Sequence, residues 1–125
     1  MSAESELNAA LLAAGTVTSI VGAGNAARIF PELVPLDNTT PAIAYSRTGT
    51  EYTTTIHSTA PVCEDVTLDL WCMAATKAAA DALADVVIPV IGAAGFRLVA
   101  RASGMPDPER DLIATALTVT KFRNL

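Results

Sequence analysis

The sequence predicts an α+β fold, in which a mainly antiparallel sheet is packed by a long helix and an N-terminal helix. Three observations support this prediction: an N-terminal segment with helical spacing of leucines, a strict two-residue alternation at residues 66–73, and one long apolar segment between two groups of strands. A single long helix between groups of strands favours helices on one side of a sheet. We expect one domain over residues 1–125, because a chain of this length can bury one core.

The first element is a helix that Ser2 or Ser5 caps and that Gly15 stops. Its apolar stripe consists of Leu7, Leu11 and Leu12. Residues 16–21 add a short further turn of helix. Residues 28–30 then form a short strand that Pro31 ends.

The next strands form the first half of the sheet. One runs over residues 42–56, and residues 57–61 turn the chain. The following strand is the clearest, because apolar side chains at Val66, Leu68 and other even positions to 72 alternate with mostly polar ones. Trp71 is expected to be an aromatic contact on one face of this strand.

The main helix is predicted over residues 76–92, with Asp81 and Asp85 outward. Its inward residues are predicted to be Ala79, Ala80, Leu83, Val87, Val90 and Ile91. Pro89 should kink or shorten this helix, because proline lacks the backbone N–H of an interior position. Two strands follow, at residues 96–102 and 112–122, separated by a loop at 105–110. The side chains of Ile113, Leu117 and Val119 share one face of the last strand.

The string GAGNAA at residues 22–27 has the G-x-G-x-x-A form of a dinucleotide-binding loop. Such a loop needs a strand before the glycines and a helix after them, so that the helix N-terminus receives the pyrophosphate. Pro31 follows too soon for that helix. We therefore interpret the glycines as a turn that closes a helix and starts a strand, and we predict no cofactor.

Other candidate chemistry is sparse. His57 is the one histidine and has no nucleophile elbow or oxyanion loop beside it, so we expect a solvated turn residue. The acidic groups at residues 64–65 and 107–111 lack a second histidine or the spaced ligands of a calcium loop. The sequence predicts no catalytic residue, no metal site and no enzymatic activity.

Composition excludes further classes. The net charge is −5 and no Lys/Arg cluster is present, which argues against a nucleic-acid clamp. The longest apolar stretch, residues 82–96, is interrupted by Asp85, Pro89 and two glycines and cannot span a bilayer. The N-terminus has no basic region typical of a signal peptide, which predicts a cytoplasmic chain. Cys63 and Cys72, nine positions apart on one predicted strand, are expected to be reduced.

Residues 46–55, SRTGTEYTTT, do not fit an isolated globule. This ribbon segment has high strand propensity but no apolar alternation that would bury either face. A polar ribbon either projects into solvent or pairs with another chain. We predict a protruding polar β-hairpin at residues 46–59 that pairs with a neighbouring chain, with a free surface hairpin as the alternative.

Short motifs spread over nearly the whole chain are Leu11-Leu12, Ile20-Val21-Gly22, Arg28-Ile29-Phe30-Pro31, Val34-Pro35, Pro41-x-Ile43-x-Tyr45, Leu68-x-Leu70-Trp71 and Leu117-x-Val119. Together with the alanine-rich helix they resemble the tail-completion or tail-terminator proteins of long-tailed bacteriophages. The resemblance implies a small subunit that forms a ring, usually hexameric, at the head-proximal end of the tail tube. Such a ring stops tube polymerisation and presents a surface for the head connector.

The resemblance also implies partners and a location. The partners would be further copies of the chain, the tail tube protein and head–tail connector proteins, with DNA passing through without specific binding and no membrane contact. The location would be the virion tail, assembled in the host cytoplasm, and the family has no catalytic residues or cofactor. The alternatives are a head-closure or tube protein of the same particle, or a small ligand-binding or enzymatic domain with a pocket near His57.

Charge is unevenly distributed along the chain: three basic and ten acidic residues precede Arg97, and five basic and three acidic residues lie from Arg97 onward. Opposite signs on two sides of a subunit would favour the head-to-tail contacts of a closed ring. Exposed ion pairs contribute only ~0.2–1 kcal/mol each, so they would tune assembly while apolar contact drives it. The predicted interface residues are Arg47, Glu51, Tyr52, Thr54, Arg97, Arg101, Lys121 and Arg123, with Glu64 and Asp65 as further acidic contributors.

Overall fold

The structure is a computed structural model that describes residues 2–24, 27–31, 40–54, 60–107 and 112–124. These residues form three helices and a five-stranded sheet, which confirms the predicted α+β class. The helices are α1 (Ala3–Ala13), α2 (Gly15–Val21) and α3 (Lys77–Ala93). The strands are β1 (Ile29–Pro31), β2 (Ala42–Thr54), β3 (Pro61–Ala74), β4 (Arg97–Asp107) and β5 (Leu112–Asn124).

The sheet has the strand order β1-β2-β3-β5-β4. The short β1 is parallel to β2, and every other neighbouring pair is antiparallel. The last strand, β5, therefore lies between β3 and β4. This arrangement fits the prediction of a mainly antiparallel sheet.

The main core lies between the three helices and one face of the sheet, which we call the helix-covered face. The alternating even-numbered residues of β3 point into it and are fully buried, as the sequence predicted. These residues are Val66, Leu68, Leu70 and Cys72. Helix residues such as Leu7, Val17 and Leu83 belong to the same cluster. Alternation in β3 thus sets which face the helices cover.

The opposite, open face carries a smaller cluster to which the described helices contribute no residue. Its buried members are Ala42, Ala44, Met73 and Ala114, with Phe30 and Trp71 packed against them. Trp71 lies opposite Ala44 of β2 and Ala116 of β5 in the strand register. The expected role of Trp71 as a sheet-face aromatic is confirmed.

The N-terminal helix begins as predicted. The Ser2 hydroxyl accepts a hydrogen bond from the Ser5 backbone N–H at 3.1 Å, which caps one of the free donors of the first turn. Leu7 and Leu11 are buried, but Leu12 is 37% exposed, so it does not belong to the apolar stripe. The helix ends at Ala13, and Gly15 starts the short α2 instead of only stopping α1.

Helix α3 differs from the prediction at Pro89. The helix continues through this residue to Ala93, so Pro89 does not shorten it. Pro89 lies on the exposed side, and the Asp85 carbonyl that loses its helical donor is on the same side, where water can supply a partner. Most predicted inward residues are buried; Ala79 and Val90 are half-buried, and Ala84 is an additional buried position.

Strand β4 is longer than predicted. Residues 105–107, predicted to be loop, pair with Ala114, Ile113 and Leu112 of β5. The strand holds Pro106 because it lies at the edge of the sheet, where a missing N–H need not break a ladder. Two register shifts interrupt it, between Leu98 and Ala100 and between Ala102 and Met105. The remainder of the predicted loop lies outside the described residues.

Candidate subunit interface

The glycine string joins a helix to a strand. Helix α2 ends at Val21 and β1 begins at Ile29, with Gly22 and Gly24 at positive φ values of 93° and 60° between them. The order helix, glycines, strand is the reverse of a dinucleotide-binding loop. The interpretation as a turn is confirmed for the described residues of the string, which exclude residues 25–26.

The ribbon segment is the far half of β2. Its pairing with β3 extends to Thr54 opposite Pro61, and β3 pairs with β5 as far as Cys63 opposite Asn124. Strand β1 covers the other side of β2 only at residues 43–45. Beyond Tyr45, no described strand pairs with that side, so residues 46–54 form a sheet edge. His57 and the rest of the predicted turn lie outside the described residues.

Arg47, a predicted interface residue, is paired within the subunit. Its guanidinium binds the Glu4 carboxylate of α1 in a two-pronged contact, in which Nε donates to Oε1 and Nη2 donates to Oε2 at 3.0 Å. Its Nη1 also donates to the Thr50 hydroxyl at 3.0 Å. The hydrogen bond from Arg47 lowers the pKa of Glu4, and the same contact raises the pKa of Arg47.

Lys121 and Arg123, near the end of β5, contact a second carboxylate of α1. The Lys121 ammonium lies 2.8 Å from Oε2 of Glu6, and the Arg123 guanidinium lies 3.8 Å from Oε1. Lys121 also donates to the Ala94 carbonyl at 2.9 Å, and Arg123 lies 3.8 Å from Glu64. The contact with the Lys121 ammonium is the main cause that lowers the pKa of Glu6. The ion pairs of Glu4 with β2 and of Glu6 with β5 thus connect α1 to the sheet.

Arg101 of β4 is paired with α3. Its guanidinium donates to Asp85 at 2.7 Å and lies 3.5 Å from Asp81. Asp81, predicted to point outward, instead accepts a hydrogen bond at 2.7 Å from the buried Thr115 hydroxyl, which was not among the predicted site residues. That hydrogen bond is the main cause that lowers the pKa of Asp81 to about 2, and Lys77 at 3.3 Å adds to the effect.

The other four predicted interface residues are exposed: Glu51, Tyr52, Thr54 and Arg97. The Tyr52 side chain is 59% exposed. Within the described part of the chain, neither Glu51 nor Arg97 has an ion-pair partner. The predicted set therefore divides into four basic residues that are paired inside the subunit, of which Arg47 and Arg101 are also exposed, and four other exposed residues on β2 and β4.

Sequence reasoning missed two groups of residues. It did not single out Glu4 and Glu6, although acidic residues in the first turn of a helix were visible in the sequence. It also missed the exposed apolar residues of β4, which are Leu98, Val99 and Met105. The stretch RLVARASGM, with apolar residues on both faces of a strand, was the signal that could have found them.

Small-molecule chemistry has little support in the described residues. A shallow groove between the C-terminal ends of α1 and α3 is lined by alanines and Val90, without the polar groups that orient a ligand. No group of three His, Cys, Asp or Glu residues in the described ranges could hold a metal ion. Cys63 and Cys72 are both free, and burial raises the pKa of the Cys72 thiol to about 12.

A family model described as tail completion protein gp17 matches residues 5–119. The chain belongs to this family. The match covers α2, α3 and β1 to β4 in full, α1 from residue 5 onward and β5 as far as residue 119, so every described core residue except Ala3 lies within it. The family resemblance inferred from the short motifs is thereby confirmed. No curated protein matches the sequence.

Family membership gives this chain a structural role in a phage tail and places it in the virion tail. A structural tail family agrees with the expectation of no enzymatic activity. It also implies contacts with other tail components. No helix within the described segments has the length and apolar character needed to cross a membrane.

Proposed function

We propose that this chain forms a homo-oligomeric ring at the head-proximal end of the phage tail tube. There it ends tube polymerisation and joins the tail to the head connector. The family match over residues 5–119 carries this proposal. Two edges of the sheet, β4 and the ribbon segment, have no covering strand among the described residues, and they support ring formation because a head-to-tail ring needs two different surfaces on each subunit.

The interface would include all eight residues predicted from the sequence, but with unequal weight. Arg47, Arg101, Lys121 and Arg123 already have carboxylate partners in their own subunit, so a neighbouring carboxylate adds less to them. The exposed residues Glu51, Tyr52, Thr54 and Arg97 would supply most of the contact. Tyr52 is the largest of these and buries the most apolar area on assembly.

The ring would let DNA pass without binding it specifically. The chain carries a net charge of −5, and the open face of the sheet carries Glu51, Asp65 and Asp69. Negative charge facing a phosphate backbone repels it and gives no groups for base recognition. Arg97 lies on the same face by register, opposite Thr120.

Two measurements test the proposal. Light scattering after size exclusion should give a mass several times that of the 12.9 kDa subunit. Added to polymerising tube protein from the same phage, the chain should bind tube ends and shorten the tubes seen by electron microscopy. A chain that itself polymerises into tubes would be a tube protein, and one that binds only the connector would be a head-closure protein; either result contradicts the terminator role.

A further inference from the structure

The sheet has two long edges that no described strand covers. One is β4, which pairs only with β5. The other is the part of β2 at residues 46–54, beyond the point where β1 stops. Uncovered edges present main-chain donors and acceptors that another strand can pair with, so natural proteins protect or cover them.

We propose that β4 of one subunit pairs with residues 46–54 of β2 in a second copy of this chain, so that the sheet continues from subunit to subunit. This inference rests on the ring proposed above and specifies its interface. The sequence predicts Arg97 and Arg101 of β4 in the interface but does not suggest that this strand pairs through its main chain with a neighbouring subunit.

Strand direction supports the pairing. From β2 through β3 and β5 to β4, each neighbouring pair is antiparallel, so β2 and β4 run in opposite directions. If the sheet continues into a second copy in the same orientation, the β2 of that copy runs antiparallel to β4. The junction then repeats the pairing of the rest of the sheet. Pairing of β4 with β4 would instead be a two-fold contact that uses the same edge of both copies, which gives a dimer and not the head-to-tail contact of a ring.

Side-chain exposure supports it as well. Every residue of β4 from 97 to 106 is exposed except the half-buried Gly104, and the strand exposes Leu98, Val99 (54%) and Met105 (42%). Exposed apolar residues on a sheet edge are unusual in a protein that stays monomeric. The ribbon segment offers threonines and Tyr52, residue types that pack well across strands.

The charges of the two edges are complementary. Glu51 on β2 and Arg97 on β4 have no ion-pair partner among the described residues, and their signs are opposite. Arg47 and Arg101, the other basic residues of these edges, are neutralised by Glu4 and Asp85. Their repulsion across the junction is therefore small.

The shape of the edges restricts how they can pair. Strand β1 already pairs with residues 43–45 of β2, so a second strand cannot pair there. In the register across the sheet, Arg97 at the start of β4 is aligned with Thr120, Thr67 and Gly49, and the rest of β4 is aligned with earlier residues of β2. The second copy must therefore shift by a few residues along the strand direction. The register shifts within β4 disfavour indiscriminate pairing and limit the junction to few registers.

Disulfide crosslinking of the full chain tests this pairing. In a Cys63→Ser background, Arg97→Cys is combined in turn with Gly49→Cys, Glu51→Cys and Thr53→Cys, which all lie on the open face by register. After mild oxidation, one of these combinations should give a ladder of covalent multimers. The matched controls Thr50→Cys and Tyr52→Cys lie on the opposite face of the same strand and should give no ladder with Arg97→Cys. Circular dichroism verifies that each variant is folded.

Charge reversal provides a second test. Arg97→Glu or Glu51→Arg alone should lower the association constant by roughly three- to tenfold, and the double variant should recover it to within about twofold. Rings without any ladder, a ladder from the control pairs, or crosslinked dimers from Arg97→Cys alone would overturn the strand pairing but leave the ring in place. A monomer at every protein concentration would overturn both.

Discussion

Replacing Glu6 with glutamine should destabilise the subunit by about 2 kcal/mol. Glu6 lies between Lys121 at 2.8 Å and Arg123 at 3.8 Å, and the Lys121 and Glu6 side chains are 20% and 26% exposed. A close, mostly buried ion pair in this setting contributes about 1.5 kcal/mol, and the longer contact about 0.5 kcal/mol. Lys121 keeps the Ala94 carbonyl and lies 4.8 Å above the Phe96 ring, which prevents a larger loss.

The effect should depend on pH in a defined direction. The pKa of Glu6 is lowered in the folded protein from its ordinary value of 4.5, chiefly by the close contact with the Lys121 ammonium. A carboxyl of this kind contributes stability that is fully present above its unfolded pKa and is lost as the pH falls through the folded pKa. The difference between wild type and Glu6→Gln should therefore be constant at neutral pH and should shrink as the pH falls below the ordinary carboxyl range and through the folded pKa of Glu6.

Urea and thermal unfolding, followed by circular dichroism at a concentration where the subunit is dissociated, measure this loss. For 125 residues it corresponds to a fall of about 8 °C in the melting temperature. The matched control is Glu51→Gln, an exposed carboxylate on β2, which should change the melting temperature by less than about 2 °C. An unchanged stability of Glu6→Gln, or a loss that does not decrease as the pH falls through the acid range, would refute the reasoning.

Three further predictions follow from the core. Leu70→Ala should cost about 3 kcal/mol in urea unfolding, because Leu70 is fully buried in β3; a loss below about 1 kcal/mol would contradict that burial. Thr115→Val should raise the pKa of Asp81 from about 2 toward its ordinary value in an NMR titration, and an unmoved pKa would mean that the hydroxyl has no such role. At neutral pH a thiol reagent should modify the half-buried Cys63 but not Cys72 until the protein unfolds, since burial raises the Cys72 pKa to about 12. Equal rates of modification of the two thiols in the folded protein would contradict the burial of Cys72.

Much of the fold could be predicted because a strand or helix with one buried face has apolar residues at a regular spacing in the sequence. The alternation in β3 follows from one face meeting the helices, and the Ser2 cap follows from the free donors of a helix start. The lengths of α3 and β4 could not be predicted from the residues near their ends. Packing of its buried face carries α3 through Pro89, and pairing with β5 holds Pro106 in a strand.

The candidate interface could be predicted only in part. Strand propensity without a buried face indicated the ribbon segment, and its exposed residues agree with that reading. The pairing of Arg47 with Glu4, 43 residues apart, and of Lys121 with Glu6 depends on where α1 lies on the sheet. Such distant partners leave no local pattern in the chain, so the sequence could not distinguish residues paired within the subunit from those left exposed.

The position of β5 in the sheet bears on how the polypeptide folds during synthesis. Because β5 inserts between β3 and β4, the ribosome releases β3 with one side unpaired until residues 112–124 have emerged. Glu6 is synthesised early, but its ion-pair partner Lys121 is synthesised more than 100 residues later, so the pair forms late. Contacts this distant in sequence slow folding and leave apolar strands exposed in the interval. A nascent chain stopped before β5 should therefore depend on chaperones and fail to fold by itself.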